Sequence, residues 1–205
     1  ADGITHQFWV LTDEALTAQI KQRFAEAVPA LYIADGHHRS ASAAKVCQAY
    51  RAQHPNYTGE EDFNYFLAVM FPQDQLHIMD YNRVVSDLNG CTPEAFLTKL
   101  AASYTVTPVE NGPYHPEAKH TFGLYLDGRW YKLAAHPDIC PADVTEGLDA
   151  AILQNTVLAP ILGILDPRKD TRIDFVGGIR GLEELERRCQ TDMQLAFALY
   201  PTDIN

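Results

Sequence analysis

No apolar run in this chain approaches the roughly 20 residues that a membrane-crossing helix needs. The N-terminus has no basic flank leading into an apolar core, so a secretory leader is not expected. The first residue is Ala1 and not Met, which suits a processed or excised piece of a longer chain. Cysteine is sparse. Cys47, Cys91, Cys140 and Cys189 lie far apart and include no Cys-x-x-Cys pair. That spacing argues against a structural zinc site or a disulfide scaffold and fits a reducing, cytoplasmic setting. Positive charge is also scarce, with 16 Lys and Arg against 27 Asp and Glu and a formal net charge of −11. Such a field repels phosphate polymers, so neither nucleic acid nor a membrane surface is an expected partner. The only cationic clusters are Arg168, Lys169 and Arg172, and the pair Arg187-Arg188.

What remains is an ordinary globular composition, 46% apolar and 21% charged over 205 residues. Length and pattern predict one α+β domain over 1–205. Thr12-Asp13-Glu14 starts a helix carrying Leu16, Ile20, Phe24 and Ala27 at helical spacing, and Pro29 ends it. Leu31 to Ala34 reads as a short strand, broken by Asp35-Gly36, and Ser40 to Gln53 as a second helix. Phe63 to Phe71 reads as a buried strand with Leu76 to Val85 as its neighbour. Asn89-Gly90 marks a turn, and Thr92-Pro93-Glu94 a helix start. A further strand is expected over Tyr104 to Val109. Phe122 to Leu126 and Arg129 to Leu133 flank Asp127-Gly128 as a hairpin. Asp149 is expected to cap a helix reaching about Ile164, kinked at Pro160. A strand over Arg172 to Val176, a Gly177-Gly178 turn, a charged helix from Gly181 to Gln190 and a strand from Leu195 to Leu199 complete the chain. The irregular alternation points to a mixed sheet, not a doubly wound one.

The chemistry concentrates in Asp35-Gly36-His37-His38-Arg39-Ser40. Gly36 permits a positive φ and close approach of a ligand. The helix start beyond it offers unpaired N–H groups and a partial positive charge. Arg39 can fork two hydrogen bonds to phosphate. His37 and His38 can donate to phosphate oxygens or move protons, and Asp35 can hold magnesium or accept a proton. The bland alternative is an ordinary turn with solvated histidines. A zinc site is the weaker rival, because no His-x-x-x-His spacing is present. Asp80-Tyr81-Asn82-Arg83 forms a second cluster, in which alternation sends Asp80 and Asn82 to one face and Tyr81 and Arg83 to the other. Asp174 with Gly177-Gly178, and the Arg168, Lys169, Arg172 group, are weaker phosphate candidates, for which a plain turn and a solvated loop are the favoured readings.

The sequence Tyr32 to Arg39, with Asn82-Arg83-Val84-Val85 and Asp174 to Gly178, resembles the bacterial "domain of unknown function 1015" family. Its members are about twice this length, and the chain resembles their later half. Many carry Pro-Thr-His-Arg where Asp80-Tyr81-Asn82-Arg83 stands, so of that cluster Arg83 is the residue the resemblance supports. The strand, Asp-Gly-His-His-Arg turn and helix also resemble the phosphate-binding box of the ParB, sulfiredoxin and free-serine-kinase superfamily. That resemblance implies a similar core, with Gly36, His37, His38 and Arg39 binding phosphate, joined by Ser40 at the helix start and by Arg83 from the second cluster. Asp35, His37 and His38 would be catalytic, and Asp80 and Asn82 accessory. It implies a nucleotide cofactor, ATP or ADP with Mg, and a kinase acting on free serine or a similar hydroxyl compound. A nucleotide-responsive binding or switch protein and a phosphoester hydrolase are the alternatives. A sulfiredoxin-like reductase fits least, since His37 stands where that chemistry needs Cys.

Overall fold

The computed structural model describes residues 5–202 of the chain, which divides into two units at Met70 and Phe71. In the first unit, α1 spans Glu14–Ala27. Its cap is Asp13, one residue later than expected, whose carboxylate accepts from the Leu16 N–H at 2.8 Å. Pro29 follows the last turn, which closes with Val28 N–H on the Phe24 carbonyl. α2 spans His37–Gln53 and so begins three residues before the expected start. Arg51 donates to Asn64 at 2.8 Å, and Phe63 packs its ring on Tyr50 and His54, which ties α2 to the loop after it.

Two expected strands of this region are not found. Leu31 to Ala34 and Phe63 to Phe71 join no ladder among the described residues. A strand exists only through a neighbour, and an apolar run does not specify one. Asp62–Asn64 instead forms a single tight turn organised by Glu61. Its carboxylate accepts from Thr58 and Gly59 N–H groups and from Asn64, and the backbone N–H bonds, that of Thr58 first, hold it well below the usual range, at about 2.

The second unit is built on a six-stranded sheet. Its strands are β1 Tyr81–Val85, β2 Tyr104–Val109, β3 Thr121–Leu126, β4 Arg129–Ala135, β5 Ile173–Gly177 and β6 Leu195–Leu199. Their order is β2-β4-β3-β6-β1-β5, with every pairing antiparallel. The α+β class therefore holds. The β3–β4 hairpin turns on Asp127 and Gly128 at φ 49° and 73°, as a type I′ turn requires. β1 is shorter than the expected Leu76 to Val85, since its ladder with β5 begins only at Tyr81, opposite Gly177. Its neighbours are β5 and β6, brought from the far end of the chain.

Helices cover both faces of the sheet. α3, Pro93–Leu100, starts as expected with Thr92 accepting from Ala95 N–H at 3.2 Å. α4, Asp149–Leu153, opens into a wider turn over Gln154–Leu158, with Ala159 N–H bonding the Gln154 carbonyl. The helix expected to reach about Ile164 with a kink at Pro160 is thus cut short before that proline. Asp149 does not cap it; the carboxylate instead accepts from His120 N–H at 2.9 Å. Phe96, Leu100, Ile152, Leu153 and Leu158 from this layer pack on Phe122, Leu124, Phe197 and Leu199. α5, Glu183–Thr191, lies on the other face, where Leu185 meets Val84, Val176, Ala196 and Ala198. The alanines of β6 admit a close helix, and Trp130 donates to Glu186 at 2.7 Å to fix it.

Candidate functional site

The turn singled out by sequence lies in the first unit. Gly36 holds φ 78°, the left-handed conformation. It is the N-cap of α2 and supplies no side-chain acceptor. The first intrahelical bond is Ser40 N–H on the Gly36 carbonyl at 2.9 Å. None of the described hydrogen bonds uses the N–H groups of His37, His38 or Arg39, and no acid occupies the first turn. The left-handed residue also brings Arg39 back over the turn. A Cβ on Gly36 would stand 2.9 Å from its Nη2. Arg39 pairs with Asp35 at 3.3 Å, with both side chains in solvent, 81% and 94% exposed. His37 and His38 are exposed as well, and Ser40 is half-buried.

The second cluster lies in the second unit. Alternation holds. Asn82 shares its face with Val84, and Arg83 turns to the opposite one. Asn82 is fully buried and spent on the fold. Its side-chain oxygen accepts from Leu199 N–H at 2.9 Å, and its amide donates to Asp80 at 2.5 Å. The Asp80 carbonyl accepts from Gly178 N–H at 2.8 Å. A Cβ on Gly178 would collide with the Asp80 carboxylate, so this glycine serves close packing of β1 on the chain after β5. Arg83 lies over the rings of Tyr81 and Phe175 and donates to the Tyr81 carbonyl.

The weaker cationic candidates are engaged by acids. Arg168 and Lys169 both pair with Asp166. Arg172 pairs with Asp170 at 2.7 Å and Asp87 at 3.4 Å, and donates to the Leu162 carbonyl. Asp174 pairs with Arg188 at 2.9 Å. These lie on a groove of about 550 Å³ between β5 and α5 that sequence reasoning missed, lined also by Arg180, Glu184 and Asp192. Helical spacing of Glu184, Arg187, Arg188 and Asp192 was the available signal. Also missed was a polar group beneath the sheet's first strands. Tyr104 bonds Thr156 at 2.6 Å, and burial pushes its hydroxyl up to about 12. Burial likewise raises the Asp149 and Cys140 groups beside it, keeping Cys140 a thiol and a poor nucleophile. Among the described residues, no three His, Cys, Asp or Glu side chains are placed to hold a metal ion. None of the described helices is long and apolar enough to cross a membrane.

Residues 1–157 match the family described as "Protein of unknown function (DUF1015)". The chain belongs to that family. The match takes in both the Asp35–Ser40 turn and the Asp80–Arg83 cluster of this DUF1015 protein. No curated protein and no solved structure matches it.

Proposed function

We propose that the turn from Asp35 to Ser40 binds a phosphate group carried by a nucleotide or a phosphorylated small molecule. One observation carries this reading: α2 starts on a left-handed glycine and leaves the N–H groups of His37, His38 and Arg39 without partners. α1 and α3 spend a capping side chain on this task. An anion at α2 meets oriented amides, the positive end of a 17-residue helix and a guanidinium. The Asp35–Arg39 pair is no obstacle, since exposed pairs hold by about 0–1 kcal/mol and an incoming phosphate offers Arg39 a better acceptor.

The resemblance of the turn to the phosphate box of ParB proteins and free-serine kinases extends the reading to transfer chemistry. With magnesium and ATP or ADP bound, Arg39, His38 and the helix start hold the phosphates. Asp35 accepts the proton of a substrate hydroxyl, such as that of free serine, as its oxygen bonds the transferred phosphorus and the nucleotide leaves. The exposure of Asp35 favours a second reading, nucleotide binding without turnover. A carboxylate in open water lacks the dry, oriented surroundings that make catalysis strong.

Thermal unfolding with ATP, ADP or CTP and magnesium tests the shared core of both. A ligand-dependent rise in Tm that Arg39→Ala abolishes is expected. No rise at millimolar nucleotide would overturn the reading. Phosphoserine formed from serine and ATP marks the kinase; binding without product marks the switch. Inorganic phosphate released from phosphoserine marks a hydrolase.

A further inference from the structure

Among the described residues, three arginines are drawn out of full solvent exposure: Arg83, Arg172 and Arg188. Two of them follow the rule that a partly dehydrated charge is paired. Arg172 holds Asp170 and Asp87, and Arg188 holds Asp174 at 2.9 Å and Asp192 at 2.8 Å. Their guanidinium groups are held more firmly protonated as a result. Arg83 has no carboxylate within ion-pair distance among the described residues. Its one hydrogen bond is to the Tyr81 carbonyl. Burial pushes this guanidinium down to about 10, the reverse of the other two.

The side chain is nonetheless held in place. Its Cζ lies 4.7 Å from the Phe175 ring centre and 5.2 Å from that of Tyr81, and the two rings stack at 5.3 Å. The register explains this. Arg83 stands directly opposite Phe175 on β5, and Tyr81 is one step along the same face. Asp80, three residues before Arg83, and Asp174, the residue before Phe175, alternate to the other face, where Asn82 and Arg188 occupy them; Asp87 is held by Arg172. The rings hold the guanidinium by cation–π contact and take none of its hydrogen bonds, so apart from the one on the Tyr81 carbonyl its N–H groups have no acceptor among the described residues and can receive an oxyanion. Tyr81, 56% exposed, keeps that end of the sheet open to solvent.

We infer that Arg83, held on Tyr81 and Phe175, is an anion-binding site of the sheet for a carboxylate or phosphate group of a small molecule. It is built from residues of the second unit, Tyr81, Arg83 and Phe175. NMR of the Arg83 Nε–H signal, assigned by its disappearance in Arg83→Lys, tests it in the full chain carrying Arg39→Ala, so that failure of the turn cannot mimic failure here. Inorganic phosphate and acetate are titrated separately. A saturating shift of this signal with phosphate alone assigns a phosphate group, and with acetate alone or both a carboxylate-tolerant site; each outcome supports the proposal. In a parallel calorimetric titration, Arg83→Gln should lose the heat of binding, while Arg180→Gln keeps it. No saturating shift with either anion, or equal binding by Arg83→Gln protein whose circular dichroism matches the parent, overturns it.

Discussion

In residues 5–70 the apolar stripe of α1, Leu16, Ile20 and Phe24, is exposed, and no side chain of that unit is fully buried. In residues 71–202 the shorter α3 sinks Phe96 and Leu100 completely into a core shared with all six strands of the sheet. Both helices have good caps, and α1 is nearly twice as long, with 14 residues against 8. Capping and length therefore do not distinguish them. What does is the presence of a long-range partner, which supplies most of the stability a helix has in water. The first unit is held by neighbours close in sequence, such as Arg51 with Asn64 and Glu61 with Thr58. The second is held by contacts such as Asn82 with Leu199.

The largest expected effect would break or keep that contrast. Phe197→Ala should cost about 3–5 kcal/mol in urea denaturation, as truncation of a fully buried ring does. Phe24→Ala should cost under about 1 kcal/mol. Equal costs would mean that the stripe of α1 is covered in solution, and the contrast would fail. Next, Asn82→Leu should cost about 1–3 kcal/mol by the same measurement, because Leu199 N–H loses its acceptor in a dry site. A neutral substitution would show that this long-range bond does not sharpen the difference between the units. Thr92→Ala should cost about 1 kcal/mol by removing the cap of α3. The matching Asp13→Ala should be read by amide exchange in α1, where protection should fall without a change in the sheet.

The smallest effect is recognised by its pH dependence. Burial holds the Asp149 carboxyl above its ordinary 3.8. The folded protein keeps the proton where the unfolded chain has released it, so stability falls as pH rises through that window, and the penalty is full at neutral pH. Asp149→Asn keeps an acceptor for His120 N–H and removes the penalty. Its urea midpoint should exceed that of the parent near neutral pH and converge with it below the carboxylate range. A variant destabilised equally at every pH would show that the charge of Asp149 is not what the second unit tolerates there.

Legibility followed the distance over which each feature is decided. Asp127-Gly128, Thr92-Pro93 and Asp35-Gly36 were readable because a positive φ, a cap or a fixed φ is set within a few residues. The alternation of Asp80, Tyr81, Asn82 and Arg83 was readable too, but not its consequence. Nothing local says that Asn82 meets Leu199 or that Phe175 slides beneath Arg83. Leu31 to Ala34 and Phe63 to Phe71 show the opposite failure, since apolar runs of strand type found no ladder. The Arg172 and Arg188 clamps were hidden for the same reason: their acids Asp87 and Asp174 arrive from other elements.

By itself the sequence determined the Asp127-Gly128 turn and the Thr92 cap, and that an imidazole- and guanidinium-bearing turn opens a helix, because these depend on torsions and bonds between near neighbours. Only the tertiary structure decided that β6 runs between β3 and β1, and that, among the described residues, Arg83 is the half-buried arginine left without an acid. Strand order and charge pairing are settled by which distant surfaces bury one another, and no local torsion records that choice.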